Sequence, residues 1–166
     1  RLTEEYNVLT MPRFLRYLIA VLACEAAGGV GSLFTMDKIS TWYVTLEKPF
    51  FSPPNWVFGP VWTTLYALMG IAAAIVWESK RGKKRDHALA WFGTQLALNA
   101  VWTPIFFGAE RLDVGFLVIV AMLVAIVGTI VSFKKISKPA AWMLVPYLAW
   151  VSFATTLNFA LWRLNA

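Results

Sequence analysis

The chain has 166 residues, 59% of them hydrophobic and 14% charged, with a formal net charge of +6. Soluble domains are about 45–50% apolar and about 25% charged, so this composition is typical of a polytopic membrane protein. One cysteine (Cys24) excludes a disulfide framework, a cysteine zinc site and an iron–sulfur cluster, and one histidine (His87) argues against a histidine-rich metal centre. We therefore expect no metal site.

Five apolar runs, separated by charged residues, are each long enough to cross a bilayer core of about 30 Å as a helix. We predict an all-α polytopic membrane protein with a single domain over residues 1–166. It is a bundle of five transmembrane helices at about 14–36, 55–78, 87–109, 112–134 and 139–163, with a lid loop at 37–54. The start of the chain carries charges of both signs and no convincing cleavage site, so we expect no cleavable signal peptide.

Glu25 is the sole ionisable residue well inside the first predicted span. Such residues usually face a cavity or a partner, and no Lys, Arg or His lies at a matching depth. The functional interpretation is a proton site in a proton-coupled carrier.

Basic residues concentrate on one side of the predicted bundle. Arg13 and Arg16 precede the first span, and the loops at 80–85 and 134–138 are rich in Lys and Arg. By the positive-inside rule, the N-terminus and both basic loops face the cytoplasm. Topology and contact with anionic lipid then account for the positive charge, so we expect no nucleic-acid binding.

The second span opens on KPFFSPPNWVFGPVWTTLY, residues 48–66. Its first prolines fix φ and hold an extended lid, and Asn55 is positioned to cap the following helix. Trp62 and Tyr66 are four residues apart, which places both on one face of that helix.

Spans three and five carry aromatic and amide side chains at helical spacing. One face of span three combines Trp91, Gln95, Asn99, Trp102 and Phe106, and one face of span five combines Trp150, Ala154 and Leu157. Two interpretations of the amides stay open: interhelical hydrogen bonds, or the polar groups of a cavity wall. Trp62, Trp102 and Trp150 lie deeper than an interfacial aromatic belt, which favours a pocket for a flat, hydrophobic, partly polar ligand.

Three motifs in order resemble those of the translocator protein family, also called TspO/MBR, tryptophan-rich sensory proteins or peripheral-type benzodiazepine receptors. They are TWYVTLEKPFFSPPNWVFGPVWTTLYALMG, QLALNAVWTPIFFGAERL and PYLAWVSFATTLNFALWRLN. The resemblance covers about residues 24–165.

This resemblance implies a five-helix bundle, usually a homodimer, in a bacterial envelope membrane or, alternatively, the mitochondrial outer membrane. Its ligands would be porphyrins, sterols and synthetic isoquinoline or benzodiazepine-type compounds, with no required cofactor. The ligand-binding residues carried over by motif position are Trp42, Pro54, Trp62, Tyr66, Asn99, Trp102, Trp150, Ala154 and Leu157.

Two departures from the family pattern stand out. The sterol motif near the C-terminus would consist of Leu157, Phe159 and Arg163, with Phe159 in place of the expected tyrosine. Ala90 and Thr94 replace a Gly-xxx-Gly pair that some relatives carry in helix three.

Three functions follow as hypotheses. The first is a binding or sensing protein for tetrapyrroles, with transport as an associated role. The second is light-dependent breakdown of protoporphyrin, in which Trp62 and Trp150 would be the reactive residues, as the resemblance to bacterial relatives implies. The third is the carrier that uses Glu25.

Overall fold

The computed structural model describes residues 11–166, and this part of the chain contains helices and loops but no strand, which confirms the all-α prediction. Residues 1–10, where the predicted domain begins and no signal peptide is expected, lie outside the described residues. The helices are α1 Arg13–Ser40, α2 Phe58–Trp77, α3 Lys83–Thr103, α4 Leu112–Lys134 and α5, which comprises Lys138–Met143 and Val145–Leu164.

Within the described part of the chain, four segments are long and apolar enough to cross a membrane: Arg13–Ser40, Asn55–Trp77, Leu112–Lys134 and Lys138–Leu164. Helix α3 is not among them, because its first turn is charged and its interior holds Gln95 and Asn99.

Each long helix buries one face in the bundle and turns an apolar face outward. In α4, Met122 and Ile126 are fully buried, whereas Val120, Val124 and Val127 are exposed. Helix α1 packs on α2 and α3, α3 lies along α4, and α4 packs on α5. An apolar outer surface of this kind is stable in lipid and not in water.

The loop between α1 and α2 begins later than the predicted 37–54, because α1 continues to Ser40. The hydroxyls of Ser40 and Thr41 donate to the Asp37 carbonyl at 3.2 and 2.6 Å, and they satisfy an orphan acceptor of the last turn. Asn55 makes no capping hydrogen bond, contrary to expectation; it starts a short 3₁₀ turn, Asn55–Val57, that leads into α2.

Helix three differs from the continuous segment predicted at 87–109. It begins earlier, at Lys83, and after Thr103 it widens into a π-helical turn, Pro104–Gly108. Proline lacks the N–H that an α-helix needs, and here the Ala109 N–H reaches back to the Pro104 carbonyl at 2.8 Å. The wider turn buries both Phe106 and Phe107.

Helix five is interrupted, whereas one continuous segment was predicted at 139–163. The break lies at Leu144, two residues before Pro146. A proline ring clashes with the carbonyl four residues earlier and removes one hydrogen bond, so one helical segment ends and a second one begins at this point.

Candidate functional site

A cavity of about 340 Å³ lies among α1, α2, the α3 end and α5. Its wall brings together most of the predicted ligand-binding residues, namely Trp62, Tyr66, Asn99, Trp102, Trp150, Ala154 and Leu157. The loop between α1 and α2 closes one end through Tyr43.

Trp42 and Pro54, the other two predicted ligand-binding residues, lie outside this wall. The ring of Trp42 packs edge-on behind two wall residues, 5.8 Å from Phe106 and 6.2 Å from Phe107 between centroids. Pro54 is exposed and precedes the turn that positions the wall residue Phe58.

Aromatic faces form two sides of the cavity. Trp62 stacks on Tyr66 at 5.4 Å and 26°, and Trp102 stacks on Phe106 at 4.8 Å and 27°. Stacking restricts the orientation of both rings in each pair, so the wall presents flat, fixed surfaces. Phe106 lies on the predicted aromatic face of span three but was not in the predicted ligand-binding set, and its position in the wall depends on the π turn that starts at Pro104.

A chain of hydrogen bonds crosses the bundle beside the cavity. Tyr66 Oη donates to Asn99 Oδ1 at 2.6 Å, Asn99 Nδ2 donates to Tyr147 Oη at 3.2 Å, and Tyr147 Oη donates to Gln95 Oε1 at 2.9 Å. Asn99 lines the cavity, whereas Gln95 is buried behind it. Asn99 therefore both forms interhelical hydrogen bonds and serves as a polar group of the cavity wall, whereas Gln95 has only the hydrogen-bonding role.

Asn158 fixes the orientation of Trp102. Its Oδ1 accepts from Trp102 Nε1 at 3.2 Å, and its Nδ2 donates to the Leu112 carbonyl at 2.9 Å. Asn158 also lines the cavity, although it was not in the predicted ligand-binding set.

The indole N–H of Trp150 is buried at the wall and has no acceptor within residues 11–166. An unsatisfied buried donor costs about 1–3 kcal/mol. A ligand with an acceptor oxygen or nitrogen at this point would offset that cost.

Glu25 lines the cavity from α1 and is half-buried.

Two glycines on the same helix let α1 approach its neighbours. A Cβ at Gly28 would collide with the Tyr66 ring, and one at Gly31 would lie 3.0 Å from Thr103 Oγ1.

The cavity is open on one side, between α1 and α2. Four of its lining residues there are exposed: Gly29, Ser32, Gly59 and Thr63. A Cβ added at Gly29 or Gly59 would meet nothing within 4 Å. The opening therefore lies on the outer surface of the bundle.

The loop that closes one end of the cavity is held by contacts with the C-terminal end of the chain and with the π turn. Asn165 accepts from the Glu47 N–H at 2.9 Å and donates to the Glu47 carbonyl at 3.0 Å. Tyr43, 2% exposed, contacts the Phe107 ring. Burial raises the pKa of the Tyr43 hydroxyl, which keeps it neutral.

The three residues of the predicted sterol motif are not brought together. Leu157 is buried in the cavity wall, whereas Phe159 is 45% exposed and Arg163 is exposed at the outside of α5. Phe159 packs on Phe116, 5.3 Å away between ring centroids.

Within residues 11–166, no group of three or more His, Cys, Asp or Glu side chains could hold a metal ion.

Comparison with known proteins finds similarity over most of the chain. The model of the TspO/MBR family matches residues 20–163. The tryptophan-rich protein TspO of Archaeoglobus fulgidus is 46% identical over 92% of this chain and 98% of its own length. The translocator protein of Homo sapiens is 43% identical over 82% of each chain, and the tryptophan-rich sensory protein of Cereibacter sphaeroides is 39% identical over 90% of each.

Proposed function

The chain belongs to the TspO/MBR family, and from that premise we propose that it is a receptor or translocator-type protein whose cavity binds porphyrins and other flat hydrophobic ligands. That it is an integral membrane protein follows from this membership and from its long apolar helices. The observation that carries the proposal is the convergence of four helices on one aromatic cavity.

The chemistry of the wall supports a planar ligand. A ligand that arrives from lipid gains little from apolar burial, so its affinity must come from shape, stacking and a few hydrogen bonds. Stacking contributes about 0.5–1.5 kcal/mol per aromatic pair. Trp62 and Trp102 offer such faces, and Trp150 offers a free N–H.

The size and the opening of the cavity support the same class. Its volume, about 340 Å³, is near the lower end of ligand pockets. A porphyrin broader than the enclosed space would extend between α1 and α2, and we propose that ligands reach the cavity from the bilayer through that opening.

Titration of purified protein with protoporphyrin tests the proposal. We expect saturable quenching of tryptophan fluorescence, because three tryptophans line the cavity, namely Trp62, Trp102 and Trp150. Cholesterol added to the porphyrin complex then tests sterols as a second ligand class. Folded protein whose fluorescence does not respond to protoporphyrin would contradict the proposal.

Light-dependent breakdown of bound porphyrin is a second candidate, and the presence of both Trp62 and Trp150 in the wall favours it. The test is illumination of the complex while porphyrin absorbance is followed. Under this candidate, Trp62→Phe and Trp150→Phe slow the loss of absorbance although porphyrin still binds. Unchanged breakdown in both variants would remove those residues from the reaction.

We further propose five spans, with α3 and its π turn as the remaining one, in a bacterial envelope membrane, or alternatively the mitochondrial outer membrane. Arg13 donates to Glu78 at 2.9 Å, so the start of α1 lies beside the basic loop that follows α2. This supports a cytoplasmic location for the N-terminus and that loop.

Cysteine labelling tests the orientation. In a Cys24→Ser background, a membrane-impermeant maleimide applied outside intact cells should label Glu47→Cys. It should label Lys84→Cys only after permeabilisation. The reverse pattern would contradict the orientation.

A homodimer is proposed through α3, where Ala90, Gly93 and Thr94 form an exposed face of small residues. Chemical crosslinking in liposomes tests this: Gly93→Leu should reduce the crosslinked dimer, and Gly59→Leu should not.

A further inference from the structure

Glu25 places a carboxyl group near the middle of the bundle. It is 12 residues from the start of α1 and 15 from its end, which corresponds to about 18 and 22 Å along the axis. At that depth a carboxylate is costly unless a partner or a cavity compensates for lost water. Glu25 lies at the cavity wall.

No cation of the described chain serves as that partner. The basic side chains of α1 are at its ends: Arg13 and Arg16 contact Glu78, and Lys38 contacts Glu110. Within residues 11–166, the cavity wall contains no Lys, Arg or His, and Glu25 makes no ion pair or side-chain hydrogen bond.

Three hydroxyl donors of the cavity wall already have acceptors. Ser32 donates to the Gly29 carbonyl at 2.7 Å and Thr35 to the Gly31 carbonyl at 3.2 Å. The Tyr66 hydroxyl, on the facing helix, is committed to Asn99. The carboxyl of Glu25 is therefore available to a donor supplied by a ligand.

Aromatic faces next to a lone carboxylate form a recognised environment for organic cations. A cation over the face of Trp or Tyr is attracted by the ring quadrupole, and a carboxylate adds a charge-assisted hydrogen bond. Trp62 and Tyr66 share the wall with Glu25. A ligand carboxylate, in contrast, finds no cation there and would have to lie at the opening.

We propose that Glu25 makes the cavity selective for flat aromatic ligands that carry a protonated amine, relative to the same ligand with a neutral polar group. The inference rests on the proposed function, because it concerns the same cavity, and it specifies the ligand chemistry that the cavity prefers.

Two probes of one shape, 1-pyrenemethylamine and 1-pyrenemethanol, test this in liposomes that contain the full chain. Dissociation constants are measured from quenching of tryptophan fluorescence by pyrene. We expect the wild type to bind the amine about tenfold more tightly than the alcohol. Glu25→Gln should bring that ratio close to one, chiefly by weakening the binding of the amine, because it removes the negative charge.

Glu47→Gln is the matched control, since Glu47 is exposed in the loop and is not part of the wall. It should keep the wild-type ratio. Glu25→Asp, which keeps the charge, should keep part of the preference. If Glu25→Gln does not fold, Glu25→Met removes the same charge with an apolar side chain. The ratio of the two dissociation constants is then measured in that variant and should again be close to one.

The outcomes separate the two proposals. Binding of both probes with a ratio that Glu25→Gln leaves unchanged would overturn the role of Glu25 and leave the cavity as a ligand site. If neither probe nor protoporphyrin quenches the folded wild type, the proposed function fails and the inference fails with it.

Discussion

The hydroxyl of Tyr66 joins α2 to α3 through its 2.6 Å hydrogen bond to Asn99. Tyr66→Phe keeps the ring stacked on Trp62 but leaves Asn99 Oδ1 without its donor. We expect a loss of about 1 kcal/mol, since interhelical hydrogen bonds in membranes are of modest strength.

Thermal unfolding in detergent measures this loss. Tyr17→Phe is the control, because the Tyr17 hydroxyl makes only a 3.4 Å contact with Glu78. A Tyr66→Phe protein as stable as the wild type would show that the chain of hydrogen bonds does not hold the wall.

Two adjacent glycines in α1 predict opposite effects of the same substitution. Gly28→Ala pushes a methyl group into the Tyr66 ring and should destabilise the protein by about 1–3 kcal/mol. Gly29→Ala meets open space and should stabilise the helix by about 0.5–1 kcal/mol. Unfolding midpoints of the two variants in one detergent provide the measurement, and equal shifts would contradict the packing of α1 on α2.

At the scale of helices, the gap between α1 and α2 is the proposed route by which a ligand dissolved in the bilayer reaches the wall. Gly29→Phe places a ring in this gap, and we expect the association rate of protoporphyrin from lipid to fall about tenfold. Stopped-flow mixing of proteoliposomes with porphyrin-loaded vesicles measures the rate.

Ala149→Phe is the matched control for that substitution. Ala149 is exposed and lies on α5 outside the cavity wall. Equal rates for both variants and the wild type would contradict access between α1 and α2.

For the whole molecule, the apolar runs alone predict an all-helical membrane protein, because hydrophobic length dominates helix formation in lipid. Predicting most of the cavity wall needed two further signals. The depth of Trp62, Trp102 and Trp150 indicated a pocket. Helical spacing placed Ala154 on the face of Trp150, and the family motifs then identified it as a ligand-binding residue although its side chain has no distinctive chemistry.

The remaining features depend on packing between distant segments, which local sequence does not encode. Pro104 and Pro146 indicate that the helices are disturbed nearby, but a proline alone does not specify whether the result is a kink, a wider turn or a break. Trp42 follows the family motif but packs behind Phe106 and outside the wall. The difference between Gly28 and Gly29 appears only when the Tyr66 ring is placed.

The central claim is that porphyrin occupies the cavity between α1, α2, α3 and α5. Its most direct test is the dissociation constant of protoporphyrin for Ala154→Phe, which fills the cavity, beside Ala149→Phe, which adds the same ring to the exposed side of the same helix. We predict affinity at least about tenfold weaker for Ala154→Phe and within about twofold of wild type for Ala149→Phe. Wild-type affinity in a folded Ala154→Phe protein would contradict the claim.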